Sequence, residues 1–406
     1  MKKYLSLLFA ILIMTYLADA RPEYSILMSY GQKCSSCHYN IQGGGVRNNF
    51  GWLARKDISI INPESIGLKG LFDLMSNNSV LDESIMFGTD FRWQMAKWPP
   101  PVGRDFMVMQ FSPYLVLQPL SWLGFEGFYN IAYNIASDKR FVGQNPYAAS
   151  MYIKPADYLP ALRVGYFQPP VGIKYDDHTV LVRQVTGYAK SGARFPGAGN
   201  IAKNLPNMPL IPDDYAELGA QLDYEAVSWL SLSAGVFNSK NMEDLVSISK
   251  TGQTIPVVDT GSVSTALRAF VSPSLIDGVN NYLSGTYFVN GDFYISSLSL
   301  GIGLPDKVSF LAEYMRSEKK DSRLTLNFLA EVTYQLTDAI LPYVRAERGC
   351  TKYKIENNPF FSNQFVFGVH LYPLPFIDLL PEYRIYNSEQ VPGYSSEWTF
   401  QIHLFY

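Results

Sequence analysis

The residues with the most chemical potential lie in one short run, Cys34-Ser35-Ser36-Cys37-His38. Two thiols three positions apart share one side of a helical turn, and an imidazole follows at once. Thiols so spaced can add to the two vinyl groups of a single haem, and the adjacent histidine then swings under the ring as proximal iron ligand. With 3 cysteines and 4 histidines in 406 residues, chance gives such a run about 2 × 10⁻⁴ times per chain. Three other chemistries use similar residues. A structural Cys34–Cys37 disulfide would leave His38 incidental; a zinc site needs four ligands; a thioredoxin-like centre needs a surrounding βαβ unit. The haem pattern accounts for all three side chains, so one covalent haem c held by Cys34, Cys37 and His38 is the expectation. The third cysteine, Cys350, falls in the loop-like run Arg348-Gly349-Cys350-Thr351.

An iron held by His38 has a sixth position to fill. Met75 stands 37 residues after His38, a workable separation for a small cytochrome, and thioether ligation raises the potential. His178, in the run Asp176-Asp177-His178-Thr179, comes next, then Met28, then the strand histidines His370 and His403. An open sixth site is a further option.

The elements that position these residues fall into three stretches. Residues 1–20 carry Lys2 and Lys3, an apolar run to Met14 and the small residues Ala18 and Ala20. That is the pattern of a secretory signal peptide. Residues 21–82 form the haem segment, with a turn at Gly43-Gly44-Gly45 and a short helix expected from Leu68 to Met75. About sixty residues bury little core unaided, so a docking surface elsewhere in the chain must complete this one.

From residue 83 to 406 the period changes to two. Phe87, Thr89, Phe91 and Trp93 alternate with Gly88, Asp90, Arg92 and Gln94; Leu324, Leu326, Phe328, Ala330, Val332 and Tyr334 interleave with Thr325, Asn327, Glu331, Thr333 and Gln335. Sixteen such strands are expected, an even number. The long connections 169–214, 239–261 and 348–362 all follow odd strands, and the chain finishes on Trp398, Phe400, Ile402, Leu404 and Tyr406. These features predict an all-β fold, a transmembrane antiparallel β-barrel of about sixteen strands with a small N-terminal c-type haem segment, in an outer membrane. Pro113, Pro119 and Pro342 fall in or beside strands and should weaken the ladder there. Putting the aromatic parity toward lipid turns Asp90, Arg92, Glu313, Glu331, Arg345, Glu347, Asp378, Glu382 and Arg384 inward. The longest loop, which carries His178, is expected to fold into the pore.

Composition agrees. Charged residues are 17% and aromatics 15%, with a net charge of −3 from 33 basic and 36 acidic side chains. No electrostatic case for nucleic acid exists. After residue 20 no apolar run approaches the roughly 20 residues of a membrane-spanning helix.

An export signal, one haem motif near the mature N-terminus and a porin-like remainder together resemble the fused monohaem cytochrome–porins of outer membranes. In motif the resemblance covers residues 30–56, where Phe50-Gly51 with Arg55 and Lys56 follow Cys34, Cys37 and His38. Gln42-Gly43-Gly44-Gly45 departs from the Phe-Pro-x-Leu-like stretch of that family. Arg163 to Gly172, with Pro169-Pro170-Val171-Gly172, resembles a strand-loop element of phosphate-selective porins. The cytochrome–porin resemblance implies electron relay between an extracellular donor, ferrous iron in the best known members, and periplasmic carriers. Two rival functions share the features: a passive solute porin whose cytochrome plug acts as gate or redox sensor, and a soluble periplasmic cytochrome with a β-sandwich.

Overall fold

The computed structural model describes residues 34–41, 45–53, 56–75, 77–97, 104–132, 147–173, 180–186, 210, 216–225, 227–243, 245–273, 275–304, 307–355, 359–388 and 391–406. The expected signal peptide, Met28 and His178 lie outside them.

Sixteen strands form the barrel. They are β1 (Ile85–Lys97), β2 (Arg104–Leu120), β3 (Leu123–Tyr129), β4 (Tyr147–Ile153), β5 (Ala161–Phe167), β6 (Glu217–Tyr224), β7 (Leu230–Asn238) and β8 (Val263–Val271), followed by β9 (Asn280–Asn290), β10 (Phe293–Leu304), β11 (Val308–Lys319), β12 (Arg323–Tyr334), β13 (Ile340–Tyr353), β14 (Phe360–Leu371), β15 (Ile377–Ser388) and β16 (Val391–Phe405). Each pairs antiparallel with its sequence neighbour, and β16 pairs with β1 from Trp398↔Lys97 to Phe405↔Asp90, so the sheet closes without an edge. Closure satisfies every strand's backbone groups inside a bilayer, where water cannot.

The burial pattern is inverted. On β12 the polar parity Arg323, Thr325 and Asn327 is buried, while Phe328 and Val332 on the other parity are exposed. Leu222, Leu298 and Trp398, all more than half exposed, belong to the same outward band. Such a belt is stable against acyl chains and costly against water. No described helix is long and apolar enough to cross a membrane; the chain crosses with strands.

Two expectations are corrected. Arg348 to Thr351 is not a loop: it is the end of β13, with Cys350 in register with Leu326 and Phe361, and the connection shrinks to 354–359. Loop asymmetry is also narrower than expected, since the connections at 291–292 and 320–322 on the long-loop rim are tight turns. Pro113 and Pro342 keep their register, opposite Thr89 and Val369; only Pro119 falls in a register shift, between Leu117 and Leu120.

The lumen is filled from both ends. From the short-turn rim, which is periplasmic in barrels of this kind, the segment 34–78 enters as a plug. It carries two short helices, α1 (Asn49–Leu53) and α2 (Lys69–Leu74), the latter where a helix was expected. Trp52 and Ile58 bury themselves against Leu341, Tyr372, Phe376 and Phe405, and Val46 packs on Met86, Tyr114 and Val116. From the other side the described residues of the connection between β5 and β6 fold inward, burying Val180, Val182 and Val185 beside Phe237, Met315 and Leu329. Its placement in the pore matches expectation.

Candidate functional site

The motif forms a tight turn. Cys34–Ser36 is one 3-10 turn, and the Cys34 carbonyl accepts from both the Cys37 amide (3.1 Å) and the His38 amide (2.9 Å). Asn48 clamps it: its side chain donates to the Ser35 and Ser36 carbonyls at 3.1 and 3.0 Å, while its Oδ1 accepts from the Gly51 amide and so caps α1. Any Cβ on Gly51 would strike the Cys37 carbonyl, which explains a glycine within this helix. Cys34 and Cys37 form no disulfide. With His38 they are half-buried.

Barrel residues hold the turn on two sides. Beyond His38, the ring of Tyr39 meets Tyr152 edge-on at 5.4 Å, and the Asn40 side chain accepts from Arg163 at 3.3 Å. Arg163 also donates to Ser150 (2.9 Å) and pairs with Glu126 (3.1 Å), its guanidinium lying over the rings of Tyr152 and Phe167. Burial, with a contribution from Glu126, pushes the Tyr39 hydroxyl up to about 12. On the other side Cys34 faces Arg268 of β8, which hydrogen-bonds it, and Glu225 beyond β6; burial raises its thiol while Arg268 pulls it back. None of Arg163, Glu126, Arg268 or Glu225 was singled out from sequence. Inward parity was the available signal, but it does not say which inward charges face the motif.

The other predicted residues lie apart from the turn. Met75, the C-cap of α2, is half-buried against the Trp52–Phe376–Phe405 cluster. His370 Nδ1 is 2.8 Å from Asp378 Oδ2, and His403 Nε2 is 3.2 Å from Asp90 Oδ1. Both histidines face the lumen, as their parity required. Further along that wall Arg345 pairs with Glu347 (2.7 Å), and Glu382 takes hydrogen bonds from Arg384, Tyr343 and Thr399. The expected inward set is therefore inward, and its three arginines pair within it: Arg92 with Asp90, Arg345 with Glu347 and Arg384 with Glu382.

No sequence family matches the chain, and no curated protein matches it in sequence. Solved structures do match its shape. The protein is similar to OmpT, an outer membrane protein of Vibrio cholerae, at 9% identity and a TM-score of 0.51, covering 79% of this chain and 97% of that one. A loop-deletion variant of the same protein gives 9%, 0.51, 79% and 99%. The outer membrane channel DcaP of Acinetobacter baumannii gives 8% identity and a TM-score of 0.48 over 79% and 97%. The fold is that of an outer-membrane β-barrel. With its apolar belt and closed sixteen-stranded sheet, it belongs in the cell outer membrane.

Proposed function

We propose that this barrel is an electron-transfer protein, relaying single electrons by one covalent haem c between an extracellular donor and periplasmic carriers. The observation that carries the proposal is the Cys34–His38 turn seated in the lumen at the periplasmic mouth, with all three side chains half-buried. In this role Cys34 and Cys37 form the thioether links and His38 is the proximal ligand. The turn fits the group: neither thiol is in a disulfide, and both sit within one turn braced by Asn48. When bound, a haem supplies a one-electron ferric–ferrous couple. Met75, His178 and Met28 are the candidates for the sixth position, of which Met75 lies apart from the turn in this structure. The cytochrome–porin resemblance makes ferrous iron the donor, which would make the protein a ferrous-iron oxidase; the electron lost by that ion passes to a one-electron carrier in the periplasm.

Peroxidase staining of the denatured full chain tests the cofactor. A stained band that disappears in the Cys34→Ala/Cys37→Ala variant is the expected result; a blank wild-type band overturns the proposal. Titration of the detergent-solubilised protein with ferrous iron then tests the donor by the appearance of the reduced haem spectrum.

One observation favours a second function. A folded-in loop narrowing the lumen, as Val180–Thr186 does here, is how a solute porin sets its pore size. Under that alternative the plug is a gate or redox sensor. Planar-bilayer recordings separate the two: large conductance indifferent to the haem would favour the porin.

A further inference from the structure

The haem proposal leaves open where the macrocycle finds its apolar surroundings, and the plug has little to offer. Val46, Trp52 and Ile58 are its buried apolar residues among those described, and each is already committed to the walls around β1–β3 or β13–β16. Phe50, Leu53, Leu71 and Leu74 are exposed instead. Phe50 and Leu53 can cover part of a flat apolar group fastened to this turn, and the barrel must supply the rest.

Cys34 shows which wall is within reach. It faces Arg268 on β8, and the guanidinium of Arg268 lies 5.8 Å from the centre of the Phe270 ring. Phe270 stacks on Tyr282 (5.2 Å, 19°), and Leu311 and the inserted loop's Ile173 complete that cluster. The loop is pinned there by the Gly172 amide donating to Thr286 and the Ile173 amide donating to Glu313, each at 3.0 Å. Beside this apolar wall the Nε of Arg268 is buried and hydrogen-bonds nothing. A buried donor left unmatched is costly, and such groups concentrate where a ligand belongs.

We propose that the haem site is composite: the plug supplies Cys34, Cys37 and His38, while Arg268 and the Phe270–Tyr282–Leu311–Ile173 cluster supply the wall that covers the haem, with Arg268 raising its reduction potential. The inference rests on the haem proposal and deepens it. Oxidation of the iron adds one positive charge, so a fixed cation close by disfavours the oxidised form, and low local dielectric keeps that interaction strong. Glu225, on the same side of Cys34, acts with the opposite sign.

The test uses the haem-loaded full chain in detergent, followed by spectroelectrochemical titration. Arg268→Gln should raise the ferric-to-ferrous ratio at a fixed potential on the order of tenfold, equivalent to about 59 mV downward for one electron. Arg268→Lys should hold the wild-type potential, and Glu225→Gln should move it upward. The inference is overturned if Arg268→Gln stains for haem, migrates as a folded barrel and keeps the wild-type potential. It is also overturned if Arg268→Gln and Glu225→Gln shift the potential in the same direction. Should Arg268→Gln not assemble, Glu225→Gln decides alone: an unchanged or lowered potential overturns the inference. A wild-type chain without haem is a different failure, since it removes the parent proposal before any potential is measured.

Discussion

At the scale of single residues, Arg163 does the most to fix the motif. Its guanidinium bonds Ser150, Asn40 and Glu126 at once, and both it and Glu126 are under a tenth exposed. Removing one member of a buried ion pair costs about 3–5 kcal/mol, more than a simple hydrogen bond, because the other charge keeps its desolvation penalty. Arg163→Met should therefore release the Tyr39–Gly45 end of the plug, seen as new protease cleavage in residues 34–78 while the barrel still migrates as folded. Adding Glu126→Gln should restore most of the protection, since the Glu126 charge is then no longer buried without its partner. Tyr39 adds a pH signature. Burial, with Glu126 contributing, holds its hydroxyl at about 12 against the usual 10.0. A proton bound more tightly in the docked state means that docking is fully supported below pH 10 and weakens as pH climbs toward 12. Protease protection measured across that alkaline range should fall, and Tyr39→Phe should abolish the step; a Tyr39→Phe protein that loosens at the same pH would disprove the assignment.

At the scale of elements, one barrel side chain gathers three backbone carbonyls of the inserted loop. The Asn327 amide on β12 donates to the carbonyls of Leu181 (2.9 Å), Val182 (3.0 Å) and Gln184 (2.7 Å), with the Thr186 amide bonded to Thr351 at 3.0 Å. Asn327→Ala should cost the tether on the order of 2 kcal/mol. Planar-bilayer recordings should show a larger or noisier conductance than wild type, and an unchanged trace would mean that the apolar contacts of Val180, Val182 and Val185 suffice. This loop marks the boundary of what the sequence makes legible. Strands β1–β16 can be read directly, because lipid outside and polar lumen inside impose a strict period of two on each strand. Glu331, Arg345 and Glu382 reveal their direction by the same rule. The end of β13 escapes it: Arg348 interrupts the apolar face that Val344 and Ala346 begin, and pairing with β12 and β14 keeps the strand extended. The seat of the Cys34–His38 turn escapes it as well. Its partners Arg163 and Arg268 lie more than a hundred residues away on different strands, and no local pattern encodes such contacts.

At the scale of the whole molecule, plug and barrel closure are one structure. Thr89 and Tyr406 exchange backbone hydrogen bonds at 3.1 and 2.9 Å where the first and last strands meet. On that seam Trp52, 1% exposed, stacks against Phe376 at 5.5 Å and meets Tyr406 edge-on at 6.1 Å, while Arg47 lies over Phe405. The amides of Ile60 and Ile61 reach the rim carbonyls of Tyr372 and Pro373. The seat for the plug thus exists only after the barrel closes, so plug docking must follow closure during assembly. Truncating a buried tryptophan costs about 3–5 kcal/mol, and here the loss falls on the docked state, because the β16–β1 ladder does not pass through Trp52. Trp52→Ala should leave the heat-modifiable gel migration of the barrel intact, expose residues 34–78 to protease and open a conductance that wild type lacks. If the barrel itself lost its folded migration, plug and seam would form together, and closure could not precede docking.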